Sequence, residues 1–142
     1  MTASWGEVRG IVTLPSGRRI RGGRVRDLND DADWSLVLAA LPRRVDAGEW
    51  VCWPDFGLPL NSGEARRAIA RAWTRSSAER VQVACGGGVG RTGTALAACA
   101  IFDGLEADAA IAYIRREYHP RAVETPWQRR WLSHMRRRQP CE

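Results

Sequence analysis

Val81-Gln82-Val83-Ala84-Cys85-Gly86-Gly87-Gly88-Val89-Gly90-Arg91-Thr92-Gly93-Thr94-Ala95-Leu96-Ala97-Ala98 is a short apolar run, a glycine-rich bend and an apolar helical stretch, in that order. The run from Arg80 to Ala84 predicts a central strand, and the stretch from Thr92 to Phe102 has no polar face, so it predicts a helix packed inside the protein. A loop that ends at a helix N-terminus offers unpaired N–H groups and the positive end of the helix dipole to an anion. Glycines let those N–H groups converge without Cβ clashes. Cys85 heads the loop and Arg91 closes it, with five residues between them. A thiolate nucleophile at one end and a guanidinium able to grip two oxygens at the other equip the loop for attack on a bound phosphate. The Cys-to-Arg spacing alone says little, because 22 of the 142 residues are basic and every one is Arg. The four intervening glycines and the Arg-Thr-Gly exit into a helix give the motif its weight.

Working outward, Glu7 to Leu14 and Arg18 to Arg26 flank the turn Pro15-Ser16-Gly17 and predict an N-terminal hairpin with its arginines as exposed edge charges. Trp34 to Leu41 is a continuous apolar run ended by Pro42, as in a buried strand, and Glu49 to Trp53 is a second short strand. Asn61 and Glu64 have the spacing of a capping box, ahead of an apolar stripe of Ala65, Ala68, Ile69, Ala72 and Trp73. A further helix runs from about Glu106 to Tyr118, with Ala107, Ala110, Ile111, Ile114 and Tyr118 on one face, and His119-Pro120 closes it. Thr125-Pro126 opens the last helix, with Trp127, Trp131, Leu132 and Met135 expected inward. At 142 residues the chain fits one domain, residues 1–142. Its expected class is α/β: a central mixed sheet flanked by helices, with the glycine loop between a central strand and a buried helix.

Hydrophobic residues make up 44% of the chain but form no long apolar segment, so neither a membrane span nor a secretory leader is expected, and Met1 to Glu7 reads as a cytoplasmic terminus. Cys52, Cys85, Cys99 and Cys141 sit at separations that match no zinc knuckle or redox pair, which points to free thiols in a reducing compartment. Asp27, Asp30, Asp31 and Asp33 lie in a turn-rich stretch without His or Cys partners and read as a solvated loop, so neither metal nor cofactor is expected. The net charge of +6, all of the cations being Arg, suits an anionic partner. Composition alone accommodates a phosphoprotein, a phospholipid or a nucleic acid.

A phosphocysteine route also needs an acid for the leaving oxygen and a base for the attacking water. Asp55 is the candidate, in the loop Trp53-Pro54-Asp55-Phe56-Gly57-Leu58-Pro59, and the Thr92 hydroxyl could donate to the sulfur. With these residues in place, Cys85 to Thr92 resembles the signature loop of the cysteine-dependent protein tyrosine and dual-specificity phosphatases, and Trp53-Pro54-Asp55 resembles their mobile acid loop. The resemblance runs from about Asp33 onward. It implies Cys85 as nucleophile, Asp55 as general acid and base, Arg91 as phosphate clamp, and the amides of Gly86, Gly87, Gly88, Val89 and Gly90 as the cradle for phosphate- or sulfate-type anions. Val123-Glu124-Thr125-Pro126-Trp127-Gln128 resembles the segment whose Gln positions the hydrolytic water, although Gln128 also stands where it would close a capping box on Thr125.

Two departures stand out. The family usually carries His directly before the nucleophile, and here Ala84 stands there. The tyrosine-bearing recognition loop of the large tyrosine-specific members is absent, which fits a compact, dual-specificity-like form. The expected substrate is a phosphorylated protein, phosphotyrosine first and phosphoserine or phosphothreonine next, or a small phosphomonoester. A phosphatase of RNA 5′ ends, nucleotides or phosphoinositides is the alternative suggested by Arg136-Arg137-Arg138, with nucleic acid the weaker expectation. Ala84 motivates a non-catalytic phosphate-binding module. Cys52 and Cys99 are expected as small buried hydrophobes, with a protective disulfide to Cys85 as the other reading.

Overall fold

The computed structural model describes residues 5–135. Five strands form one mixed sheet: β1 (Ile11–Thr13), β2 (Arg19–Arg24), β3 (Trp34–Ala39), β4 (Gly48–Cys52) and β5 (Val81–Cys85), in the order β1-β2-β5-β3-β4. Only β1 runs antiparallel to its neighbour. The predicted hairpin is therefore present, but β2 is an interior strand, and Arg21 is buried rather than an edge charge. It lies in a polar row on one sheet face, donating to Gln82, whose amide in turn reaches Ser35 and the Asn29 backbone.

The other face carries the apolar alternates Val12, Ile20, Leu36, Leu38, Val51, Val81 and Val83 in one cluster with the helices' apolar residues. The four helices are α1 (Ser62–Arg75), α2 (Gly90–Phe102), α3 (Ala107–Glu117) and α4 (Pro126–Ser133). α2 is buried from Gly90 to Ile101, as its lack of a polar face requires, and it begins two residues before the predicted start. Asn61 caps α1 by accepting from the Glu64 N–H, and Asp33 pairs with Arg80, whose hydrogen bond holds that carboxyl below the usual carboxylate range. Asp103, just past α2, accepts from Ser16 and Trp73 and so ties the hairpin turn to the helical layer. No helix among the described residues is long and apolar enough to cross a membrane.

β5 lies between β2 and β3, where the strand order reverses direction, and in parallel sheets ligands bind at the carboxyl ends of the strands at such a switch point. The glycine loop leaves the carboxyl end of β5 and the Trp53 loop leaves that of β4, so both arrive at one edge of the sheet.

Candidate active site

The glycine loop is an extension of the core. Cys85 is the last residue of β5 and 1% exposed, and its sulfur accepts from the Gly88 N–H at 3.2 Å. Gly88 has a φ of 70°, and a Cβ there would stand 2.9 Å from the Gly23 carbonyl carbon, so both the backbone angle and the closeness of β2 require glycine. Arg91, in the first turn of α2, is 7% exposed. Its Nη1 donates to the Trp53 carbonyl at 2.9 Å, its Nη2 lies 3.6 Å from the Asp55 carboxylate, and its buried Nε has no hydrogen-bond partner. The Nη2 also lies 3.1 Å from where a Cβ on Gly86 would be, which puts the guanidinium across the first loop residue after the thiol. One edge of the planar group is thus committed to the acid loop, and the Nε side is left for the two parallel hydrogen bonds a tetrahedral oxyanion accepts.

The Trp53 loop, which the sequence resemblance reads as an acid loop, is a tight turn held by side chains. The Gly57 N–H closes it on the Pro54 carbonyl at 3.0 Å, with Phe56 in the left-handed region at a φ of 58°, a conformation that costs about 1 kcal/mol or more for a residue with a Cβ. Three donors fix its carbonyls: Trp53 Nε1 to Gly57 at 2.8 Å, Gln128 Nε2 to Gly57 at 3.2 Å, and Trp127 Nε1 to Phe56 at 2.6 Å. Trp53 itself is fully buried, edge-on to Trp131 with ring centroids 5.4 Å apart. Asp55 is exposed and has the Arg91 guanidinium beside it.

The remaining expected residues fall as follows. Thr92 is buried, and its hydroxyl donates to the Gly23 carbonyl at 3.4 Å rather than to the sulfur. Gln128 is fully buried and completes the capping box: its Oε1 accepts from the Glu124 and Thr125 N–H groups, while the Thr125 hydroxyl accepts from the Gln128 N–H. In this conformation its amide touches the acid loop through Gly57. Trp127, expected inward, is half exposed, because its indole N–H is drawn out to Phe56. Cys52 follows β3 in register with Ala39, and Cys85 with Leu38, so the two thiols point to opposite faces from strands separated by β3. That separation is about 10 Å, beyond the reach of a disulfide. Cys99 sits nine residues along α2 from Gly90, which is about 13 Å of helix, and burial raises its thiol far above the ordinary range. Cys141 and Arg136-Arg137-Arg138 lie outside the described residues.

Three residues at the site were assigned no role from the sequence. Glu124 packs its carboxylate against Gly90, where a Cβ would stand 2.0 Å from Oε1. Arg115 donates to the Ala122 and Val123 carbonyls at 2.8 and 2.7 Å and holds the turn in which Val123 has a φ of 63°. Tyr118 donates to the Gly88 carbonyl. Tyr118 was visible in the sequence only as one more member of an apolar stripe, Glu124 only as a member of the Val123-to-Gln128 segment with no role of its own, and Arg115 had no periodic or spacing signal at all.

Cys85, Arg91 and Asp55 thus gather at the carboxyl end of the parallel strands, with Arg91 lying across Gly86 and bonded to the Trp53 loop. A family model described as protein-tyrosine phosphatase matches residues 26–133. The chain belongs to the protein-tyrosine phosphatase family. Membership brings the chemistry of a cysteine-based phosphatase, and the matched span takes in both loops and α4 while the β1–β2 hairpin precedes it. Among solved structures, the chain is similar to Tk-PTP in the active form, with 26% identity and a TM-score of 0.69 over 87% of this chain and 93% of that one. A glycine-to-alanine mutant form of Tk-PTP matches at 26% identity and a TM-score of 0.66, over 80% and 85%. Curated protein sequences give no match.

Proposed function

We propose that the protein hydrolyses phosphomonoesters through a phosphocysteine on Cys85, with phosphotyrosine in proteins as its substrate class. The observation that carries this reading is the buried Arg91 guanidinium, tied to the acid loop on one edge and unpartnered at Nε beside the head of the glycine loop. In the first step the Cys85 thiolate attacks phosphorus; the S–P bond forms, the ester P–O bond breaks, and Asp55 gives its proton to the departing oxygen. In the second, Asp55 as carboxylate takes a proton from water as the water oxygen attacks phosphorus. The S–P bond breaks, inorganic phosphate leaves, and the thiolate is restored. The loop amides from Gly86 to Gly90 and Arg91 hold the equatorial oxygens in both steps. Thr92 supports the loop from below through β2, and Gln128 serves the water step by fixing the acid loop at Gly57.

An aryl ester is favoured because Phe56 and Trp127, 56% and 50% exposed, stand on either side of their shared hydrogen bond next to Asp55 and offer an aromatic rim. On α1 the cationic stripe is partly neutralised, Arg71 by Glu49 and Arg75 by Glu79, which weakens the case for nucleic acid. The test is a panel of an aryl phosphate, phosphotyrosine and phosphoserine peptides, a phosphoinositide and an RNA 5′ phosphate, run beside Cys85→Ser. Turnover of the aryl substrates, lost by on the order of 10³-fold or more in the variant while phosphate binding persists, is the expected result. Hydrolysis unchanged in Cys85→Ser sinks the mechanism. Absence of any trapped phosphoenzyme in the parent protein favours the non-catalytic module.

A further inference from the structure

Three consecutive glycines, Gly86 to Gly88, leave the loop with little intrinsic direction, and Ala84 supplies no hydrogen-bonding group behind it. A cradle works only if its N–H groups point at the anion before the anion arrives, so something outside the loop must set its peptide planes. One side chain reaches it from the helical layer. Tyr118, at the C-terminal end of α3, lays its ring against Gly22 of β2, where a Cβ would stand 2.7 Å from the ring, and donates its hydroxyl to the Gly88 carbonyl. A trans peptide points its carbonyl and the following N–H in opposite directions. Drawing the Gly88 carbonyl outward to Tyr118 therefore turns the Val89 N–H toward the other side of the chain, into the loop. The same contact fixes the left-handed Gly88, whose own N–H donates to the Cys85 sulfur at 3.2 Å.

We propose that Tyr118 is a positioning residue of the anion loop: through one hydrogen bond to Gly88 it sets two of the N–H groups, one facing the nucleophile and one facing the phosphate. It takes over from the opposite side of the loop the bracing that Ala84 does not give. Burial of the phenol, and the nearby Cys85 charge, raise its ionisation well above the ordinary range, so it remains a donor throughout the working pH. This assignment rests on the phosphatase reading of the loop, but its direct consequences are anion binding and thiol reactivity, which are measured without turnover.

The decisive variant is Tyr118→Phe, which keeps the ring on Gly22 and removes only the donor. Inorganic phosphate binding, measured by calorimetry, is expected to weaken about five- to tenfold, the scale of one lost hydrogen bond. The pH dependence of Cys85 alkylation by iodoacetamide is expected to move to higher pH. The charged and titratable groups around the loop are Arg91 from α2, Asp55 from the acid loop, Arg21 and Arg24 from β2 with Asp27 after it, Arg9 before β1, His119 next to Tyr118, and Glu124 before α4; Tyr118→Phe leaves all of them in place, so a shift reports the loop. The melting temperature should stay within about 2 °C of the parent, as for substitutions outside the core-cavity class. Tyr118→Leu serves as the packing control, expected to lose stability as well. If Tyr118→Phe binds phosphate and alkylates as the parent does, while only Tyr118→Leu is impaired, Tyr118 is a packing residue and the proposal is overturned. A parent protein that binds phosphate but hydrolyses no aryl phosphate refutes the phosphatase reading, and the binding and alkylation arms still decide the role of Tyr118.

Discussion

Cys85 ends β5 and Asp55 follows β4, parallel strands with only β3 between them, and both lie at the same end of the sheet, yet Cys85 is 1% exposed while Asp55 stands in solvent. The thiol inherits its position from the core: β5 is buried at every residue, and α2 is buried from Gly90 to Ile101. Moving Cys85 would mean moving the sheet or the central helix. The acid loop has no such backing beyond Trp53. Its turn holds Phe56 in a costly conformation, and it is kept closed by donors from Trp53, Gln128, Trp127 and Arg91. Each of those hydrogen bonds is worth about 1 kcal/mol net, so the turn rests on a few separable contacts rather than on core packing. Cys85 and Arg91 are thus set by the core, and Asp55 stands on a turn set by side-chain hydrogen bonds.

That contrast is broken most sharply by Asp55→Ala. Removing an exposed side chain from a turn should leave stability at the parental level and phosphate binding no weaker, while kcat falls roughly 10²- to 10⁴-fold, the span of general acid–base catalysis. A parallel loss of phosphate affinity would mean that Asp55 helps form the cradle, and the two regions would no longer be separable. Arg91→Lys comes next. Arg91 touches both regions, and a lysine cannot grip an oxyanion with two N–H groups while also holding the Trp53 carbonyl. We expect kcat/KM to drop by roughly 10²- to 10³-fold, with phosphate binding weakened alongside. Steady-state kinetics with calorimetry on the same variant separates the two losses.

How much of this was readable in advance follows from where the information lies along the chain. Strand, glycine loop and buried helix are contiguous from Val81 to Phe102, so their periodicity and the Cys-to-Arg motif announced both the α/β class and the anion loop. Asp55 stood out only through Cys85 downstream and the resemblance of Trp53-Pro54-Asp55 to the family's acid loop, and the structure places it beside Arg91. The interior place of β2 was not legible, since Arg19 to Arg24 carries three exposed-looking arginines, and the burial of Arg21 depends on Gln82, 61 positions away, together with the nearby Asp27 carbonyl. Gln128 was visible by two competing patterns, and its contact with Gly57 joins residues 71 positions apart. Tyr118 meets the loop across 30 positions, and no local pattern encodes a contact to a glycine carbonyl. Trp127 misled because a large aromatic at helical spacing normally packs inward.

Trp127 supplies the smallest and most selective of the tests. Trp127→Phe retains an aromatic face at the rim and deletes one indole N–H, the donor to the Phe56 carbonyl. With Phe56 at a φ of 58°, loss of that donor leaves the turn with less to offset its left-handed residue, and the open form of the loop gains population. One such hydrogen bond corresponds to about a two- to fivefold decrease in kcat when closure delivers the acid. Phosphate affinity and the alkylation profile of Cys85 should not move, because the cradle is held from the core and from Tyr118. Adding Trp127→Phe to Asp55→Ala should then cost nothing further, since closing a loop that carries no acid does no chemistry. If the two substitutions instead multiply, Trp127 acts on the substrate rather than on the loop, and the rim, not the turn, becomes the reason for its half-exposed place.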